Sequence, residues 1–327
     1  MQWIDKKAFR DLGQRISFER PALVALFLAI GGLLGSVAFG QASLPATLLF
    51  ERAPLERPIN SIRLADAETV TAAFGSQGYR LDRVRREGVV PRVFLAALPK
   101  DLEEVTATHE RKRLFLQTVL PLVLHVNETI SEQRKRVLEI YKPKKDGFHL
   151  TAQDSDWLRG LYAYYRVAEG DLPELLRRVD VIPPSLALAQ AAEESGWGTS
   201  RFAQEGNAIF GQWTPNFHQG LVPLQRDEGS RYAVRSFREL AGSVWAYARN
   251  LNTHRAYRDL RDKRQTLRRR AEPLNGYTLA DTLEPYSERG QAYVQTLRLL
   301  IKSNKLRHFD RAKLKGDVYA SFSKNDV

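Results

Sequence analysis

Twenty consecutive residues without a charge, PALVALFLAIGGLLGSVAFG at positions 21–40, constrain this chain more than any other stretch. A helix of that length spans the hydrocarbon layer of a bilayer. Lys6, Lys7, Arg10, Arg15 and Arg20 precede it. By the positive-inside rule they keep residues 1–20 in the cytoplasm. The sequence therefore predicts a single-pass inner-membrane anchor with the remaining chain in the periplasm. A second reading stays open, because GQAS at 40–43 offers small residues for signal cleavage after Ala42, which would release the rest to the periplasm. The length of the run favours the anchor. Residues 41–60 hold Pro45, Pro54 and Pro58 with no sustained period, and read as a linker.

Composition narrows the chemistry beyond the membrane. The 327 residues are enough for one large or two modest domains. There is no cysteine, and the six histidines are scattered without metal-ligand spacing, so no metal or cofactor is expected. A net charge of +12 calls for an anionic partner. Nucleic acid, anionic lipid and a carboxylate-bearing wall polymer all qualify, and export across the membrane leaves nucleic acid the poorest of the three. No protein partner is indicated.

The pattern beyond residue 60 is mainly helical. Residues 61–147 form a first region, with a long helix over 101–141, a capping box from Asp101 and Glu104, and a kink or split at Pro121. Residues 148–308 read as a second domain. Asp171, Pro173 and Glu174 start one helix. Pro183 and Pro184 start another, which Gly196 ends. Ser236 with Glu239 and Thr278 with Asp281 cap two more, and the last helix covers 287–305. Residues 221–237 alternate around the polar tip RDEGS and read as a β-hairpin. Residues 309–327 form a polar tail. The expected class is thus α+β, dominated by helices, with a small hairpin lobe and a cleft beside it. Trp157, Trp245, Tyr162, Tyr164 and Tyr165 are assigned to the core. The basic stretch RAYRDLRDKRQTLRRR at 255–270 reads most simply as a solvated helix face, with a grip on wall polymer or lipid headgroups as the alternative.

Two carboxylates, Glu193 and Glu194, stand where the apolar helix of ALAQAAEESGWGTSRF (187–202) runs out. The negative end of the helix dipole and an aromatic wall both disfavour ionisation there. Gly196 suits the left-handed turn that would let Trp197 swing back against the carboxyl. A carboxyl that keeps its proton at neutral pH is what glycoside hydrolysis needs to protonate a departing oxygen.

LALAQAAEESGWGTSRFAQEGNAIFGQW (186–213) resembles the glucosaminidase domain of glycoside hydrolase family 73, whose hallmark is an Ala-Gln-Ala helix ending in Glu-Ser-Gly-Trp-Gly and followed by Asn-x-Phe-Gly. The resemblance extends over about 150–305, through NLNTHRAY (250–257) and the final tyrosine-bearing helix. With its membrane segment and LPLVLHVNETI, the whole chain looks like the proteobacterial Bax-type glucosaminidases. This resemblance implies a lysozyme-like fold and cleavage of the β-1,4 bond after N-acetylglucosamine in peptidoglycan glycan strands. It implies Glu194 as the catalytic acid and a second carboxylate from the hairpin lobe, Asp227 or Glu228, with Glu228 preferred. Tyr293 matches the family tyrosine that meets the acetamido group or the reacting water. Trp197, Asn207, Phe210, Gly211 and Trp213 are the implied substrate contacts, although Trp213 and Glu193 both depart from the family's usual residues. A lytic transglycosylase or muramidase on the same fold, and a wall-binding or assembly protein without turnover, are the competing readings.

Overall fold

The computed structural model describes residues 55–142, 150–214, 216, 218, 220–223 and 233–316. The expected anchor at 21–40, the tip residues Asp227 and Glu228, and the end of the chain lie outside the described residues. Among the described residues, no helix is long and apolar enough to cross a membrane.

Eleven α-helices and five short strands make up the described architecture, which is mainly helical α+β. Helices α1 (Ala67–Ser76) and α2 (Leu81–Glu87) lead through β1 (Val89–Val90) to α3 (Thr108–Ile140). Asp101 does not cap α3. Its Oδ1 accepts the Ala67 amide at 2.8 Å, so it helps Asp66 to start α1, and α3 begins seven residues later than expected. Nor does Pro121 divide α3, which runs unbroken for 33 residues. Residues 114–126 of this helix are buried without interruption, beneath α6 and α8. Packing on every side outweighs the ~3 kcal/mol that an interior proline costs.

Helices α4 (Ala152–Tyr164) and α5 (Leu172–Arg178) come next, and Asp171 caps α5 through the Glu174 amide as its sequence predicts. Helix α6 (Pro184–Ser195) is the axis of the molecule. It is buried from Pro184 to Ala192, and α3, α11, α10 and the 3-10 turn at 306–311 surround it. Helix α7 (Arg201–Gly206) then delivers the chain to a three-stranded antiparallel sheet of β2 (Trp213–Thr214), β3 (Gly220–Leu221) and β4 (Ala233–Arg235). Strand β4 lies in the centre, with Val234 opposite both Trp213 and Leu221. The expected hairpin is the β3–β4 pair. Strand β2 is an addition, two residues long and too short to show an alternation.

After the sheet come α8 (Leu240–Thr253), α9 (Arg258–Arg269), α10 (Gly276–Leu279) and α11 (Gln291–Ser303). Two expected caps are corrected here. Glu239 is the N-cap residue of α8 but its side chain makes no capping bond and accepts from Ser61 instead, and α10 is capped by Asn275, whose Oδ1 accepts from Thr278. Strand β5 (Lys313–Leu314) pairs in parallel with β1, tying the end of the described chain to its beginning. One continuous hydrophobic core runs from α1 to β5. Trp245, Tyr162 and Tyr165 are buried in it, while Trp157 and Tyr164 pack at its edge.

The basic stretch on α9 is not uniformly solvated. Arg261 and Arg264 are buried, on the same side as Leu260 and Leu267. Arg264 is 0 % exposed; it lies 3.5 Å from the Asp180 carboxylate and donates to the backbone carbonyls of Arg177, Asp180 and Val181. Burial pulls the Arg261 guanidinium down to about 10, with Arg178 adding to the effect. The outward arginines of α9 keep the solvated role.

Candidate active site

The end of α6 builds the site. Gly196 caps the helix in a left-handed conformation (φ 57°, ψ 43°), and Trp197 and Gly198 remain left-handed after it (φ 61° and 83°). Ser195 locks this turn, donating to the Ala191 carbonyl and accepting from the Gly198 amide. Three such residues in a row turn the Trp197 ring to α3 rather than back onto Glu194. There it meets Phe115 edge-on at 5.8 Å, and Lys112 lies 4.8 Å above it. A Cβ on Gly198 would fall 2.8 Å from Leu98 and 2.9 Å from Phe115. Gly198→Ala is therefore expected to destabilise the fold by about 2–3 kcal/mol, through overpacking and left-handed strain together, read as a lower urea midpoint.

Glu194 keeps part of its surface accessible, yet its carboxyl is desolvated by its neighbours. Burial pushes its pKa from 4.5 to about 7, opposed by a hydrogen bond from Tyr293, assisted by the charge of Glu193 and opposed again by Arg289. Desolvation thus dominates, and the wall comes from residues other than Trp197. Tyr293 stacks on Tyr286 (5.6 Å, 2°), which in turn lies 5.8 Å from Tyr257. Phe210 stacks flat on Tyr247 (3.9 Å, 7°).

A directed hydrogen-bond chain reaches the acid from inside the core. Tyr247 donates to Gln190 Oε1 at 2.7 Å, Gln190 Nε2 donates to the Tyr293 oxygen at 3.0 Å, and Tyr293 donates to Glu194 Oε1 at 2.7 Å. Each group has one polarity left once the first is set. Glu194 Oε1 is therefore an acceptor, and the acid proton belongs on Oε2. That oxygen faces Gly211 (φ 59°), where a Cβ would stand 3.8 Å away. A Cβ there would make only ordinary van der Waals contact, so it is the left-handed backbone that calls for glycine at 211. Glu193 is turned aside and paired with Arg289 at 2.5 Å.

From Gly211 the chain passes to Gln212 and Trp213, both on the wall of a cleft of about 530 Å³. Trp213 is thus at the cleft, and Gly211 is at the acid. Phe210 is fully buried, with its face covered by Tyr247, so it supports the floor instead of offering a free stacking surface. Asn207 is a fastening residue. It ends α7 in a left-handed conformation, and its amide donates to the carbonyls of Phe237 and Arg238. Tyr293 has its hydroxyl engaged by Gln190 and Glu194, so it addresses the acid first.

The functional groups missing from the sequence reading are Gln190, Tyr247, Tyr286 and Arg289. Gln190 had a usable signal. It lies four residues before Glu194, on the same helix face, and is polar within an otherwise apolar run.

Residues 171–306, from the cap of α5 to just past α11, match the glucosaminidase family model described as mannosyl-glycoprotein endo-beta-N-acetylglucosaminidase. The chain is also similar to Protein bax of Escherichia coli (strain K12), 30% identical over 215 residues that cover 64% of this chain and 75% of that protein. That alignment is longer than the domain, so the kinship reaches beyond it. No solved structure matches the chain. With a glucosaminidase domain and this relative together, the chain belongs to the Bax-type glucosaminidase family.

Proposed function

We propose that this protein is a peptidoglycan hydrolase of the cell envelope. It cuts the β-1,4 bond after N-acetylglucosamine, with Glu194 as general acid on a lysozyme-like domain. One observation carries the reading: a carboxyl with a pKa of about 7 is held at one oxygen by Tyr293, while the other faces Gly211, whose neighbours Phe210 and Gln212 line an aromatic-walled cleft. In the reaction, Oε2 gives its proton to the glycosidic oxygen as the bond to the anomeric carbon breaks, and Tyr293 stabilises the carboxylate that remains. Asp227 or Glu228 is the proposed base that activates water on the opposite face of the sugar. If neither reaches that face, the substrate's own acetamido oxygen fills the role. Residues 21–40 are proposed to hold the enzyme at the inner membrane.

Digestion of purified sacculi, followed by mass spectrometry, tests this reading. Reducing N-acetylglucosamine ends are expected. Anhydro-muropeptides would replace it with transglycosylase chemistry, and an absence of soluble products at any pH would leave only a wall-binding role.

The pH dependence follows from the acid. The protonated form is the active one, so turnover is expected to fall about tenfold per pH unit above about 7. Tyr293→Phe removes a bond that favours the ionised carboxyl, and so moves that alkaline limb upward. It also frees the carboxyl to rotate, and turnover is expected to drop about tenfold. A pH–rate profile of the two proteins reads both effects. An unmoved limb would remove Tyr293 from the acid's control.

A further inference from the structure

Three arginines line the cleft whose wall starts at Phe210 and Gln212, the two neighbours of the Gly211 that faces the acid: Arg166 just past α4, Arg235 on β4 and Arg249 on α8. None of them forms an ion pair with a described carboxylate. The acidic side chain on the described lining is Glu56, which accepts the Tyr164 hydroxyl at 2.6 Å. His254 adds no charge at neutral pH, because burial and the neighbouring arginines 255, 166 and 261 push its pKa down.

Their settings prepare these arginines for an anion. The Arg249 guanidinium lies 4.6 Å over the ring of Tyr164, and its Nε donates to the Tyr164 carbonyl. Arg235 lies 5.0 Å over Phe237. Arg166 is held in a left-handed backbone conformation (φ 55°). A guanidinium stacked on a ring keeps its edge donors free and pre-oriented, an arrangement suited to carboxylates. Three cations on one lining, none paired with a described carboxylate, exceed what an uncharged sugar needs.

We propose that this cleft recognises the carboxylates carried on the glycan's muramoyl substituents, next to the bond that Glu194 cleaves, and that Arg166, Arg235 and Arg249 are its specificity-determining residues. The inference rests on the peptidoglycan reading above. It turns the chain's overall positive charge into a local selection for glycan whose side groups are ionised.

Binding tests it apart from turnover. Soluble peptide-bearing glycan strands, and the same strands with their carboxylates converted to amides by carbodiimide and ammonia, are titrated into the Glu194→Gln protein by calorimetry. The native strands are expected to bind about tenfold more tightly. Arg235→Ala and Arg166→Ala, each in that background, are expected to reduce the ratio to about threefold or less. Arg86→Ala removes the same charge from α2, away from the cleft, and is expected to leave the ratio at about ten. Equal affinity for the two strands in the Glu194→Gln protein would overturn the proposal. So would an Arg86→Ala effect as large as that of Arg235→Ala, which would reduce the preference to a general field. A carboxylate preference in a wild-type protein that releases no reducing ends would sink the hydrolase reading and keep the site.

Discussion

Glu194→Gln is expected to lower turnover about a thousandfold with little change in KM, and at the same time to stabilise the protein at alkaline pH. Glutamine matches glutamate in size and still accepts the Tyr293 hydroxyl at Oε1, so the helix end and its hydrogen-bond chain survive. What disappears is a transferable proton, whose contribution to this chemistry is typically two to four decades. The stability effect comes from the same burial. Below pH 4.5 the carboxyl is protonated in both folded and unfolded chains and contributes nothing. As pH rises from 4.5 to about 7, the unfolded chain ionises freely while the folded one resists. The native state thus loses on the order of 3 kcal/mol, fully developed above about pH 7. The glutamine variant escapes this loss. Urea unfolding of both proteins should show a gain of that order at pH 8.5 and none at pH 4. A variant with normal turnover, or one whose gain is the same at both pH values, would rule out a proton held on Glu194.

The two halves of this result differ in how far they can be read from residues alone. Helix α6 announces itself, because Pro183 and Pro184 can only begin a helix and Gly196 accommodates its left-handed end. The position of Glu194 at that end is therefore plain in the sequence. Its surroundings are not. Trp197 turns to α3 because Gly198 has no side chain and is hemmed in by Leu98 and Phe115, which precede it by about a hundred and about eighty positions. Tyr247 and Tyr286 come from elements with no local reason to meet Gln190 or Phe210. Arg261 and Arg264 carried a signal that charge concealed. At spacings of three and four they share a helix face with Leu260 and Leu267, the periodicity of a buried stripe. Long α3 misleads in the opposite sense, since a proline is read as a break by local rules and is overruled by burial around it.

Asp180→Ala is expected to be the most damaging single change to stability, at about 3–5 kcal/mol, although Asp180 lies at the far end of α6 from the acid. Its carboxylate is buried, lies 3.5 Å from Arg264, and accepts from Arg268 at 2.7 Å and from the Val181 amide at 2.9 Å. Its backbone carbonyl accepts from Asn252 and Arg264. Burial works to raise its pKa, but the charge of Arg264 and then the bond and charge of Arg268 outweigh this and hold it below 3.8. Removing the carboxylate leaves Arg264, itself fully buried, with carbonyls for company and no opposite charge, the situation in which a broken buried pair costs most. The sign with pH follows from the lowered value. The pair's stabilisation is present above the unfolded pKa and lost as pH falls through the folded one, so wild type and variant should begin to converge only as pH falls below about 3.8 and meet below the lowered folded pKa. Val181, Ile182 and Pro183 link Asp180 to α6, so slack at this anchor is transmitted along a rigid rod of about 18 Å to Glu194. Asp180→Leu combined with Arg264→Met replaces the pair by apolar groups of similar reach, and is expected to recover most of the loss in urea unfolding at pH 7. Recovery of stability with turnover still depressed would mean that the charges also set the position of α6. Failure to recover any stability would show that Arg264 holds the loop through its carbonyl bonds, with Asp180 serving only to neutralise it.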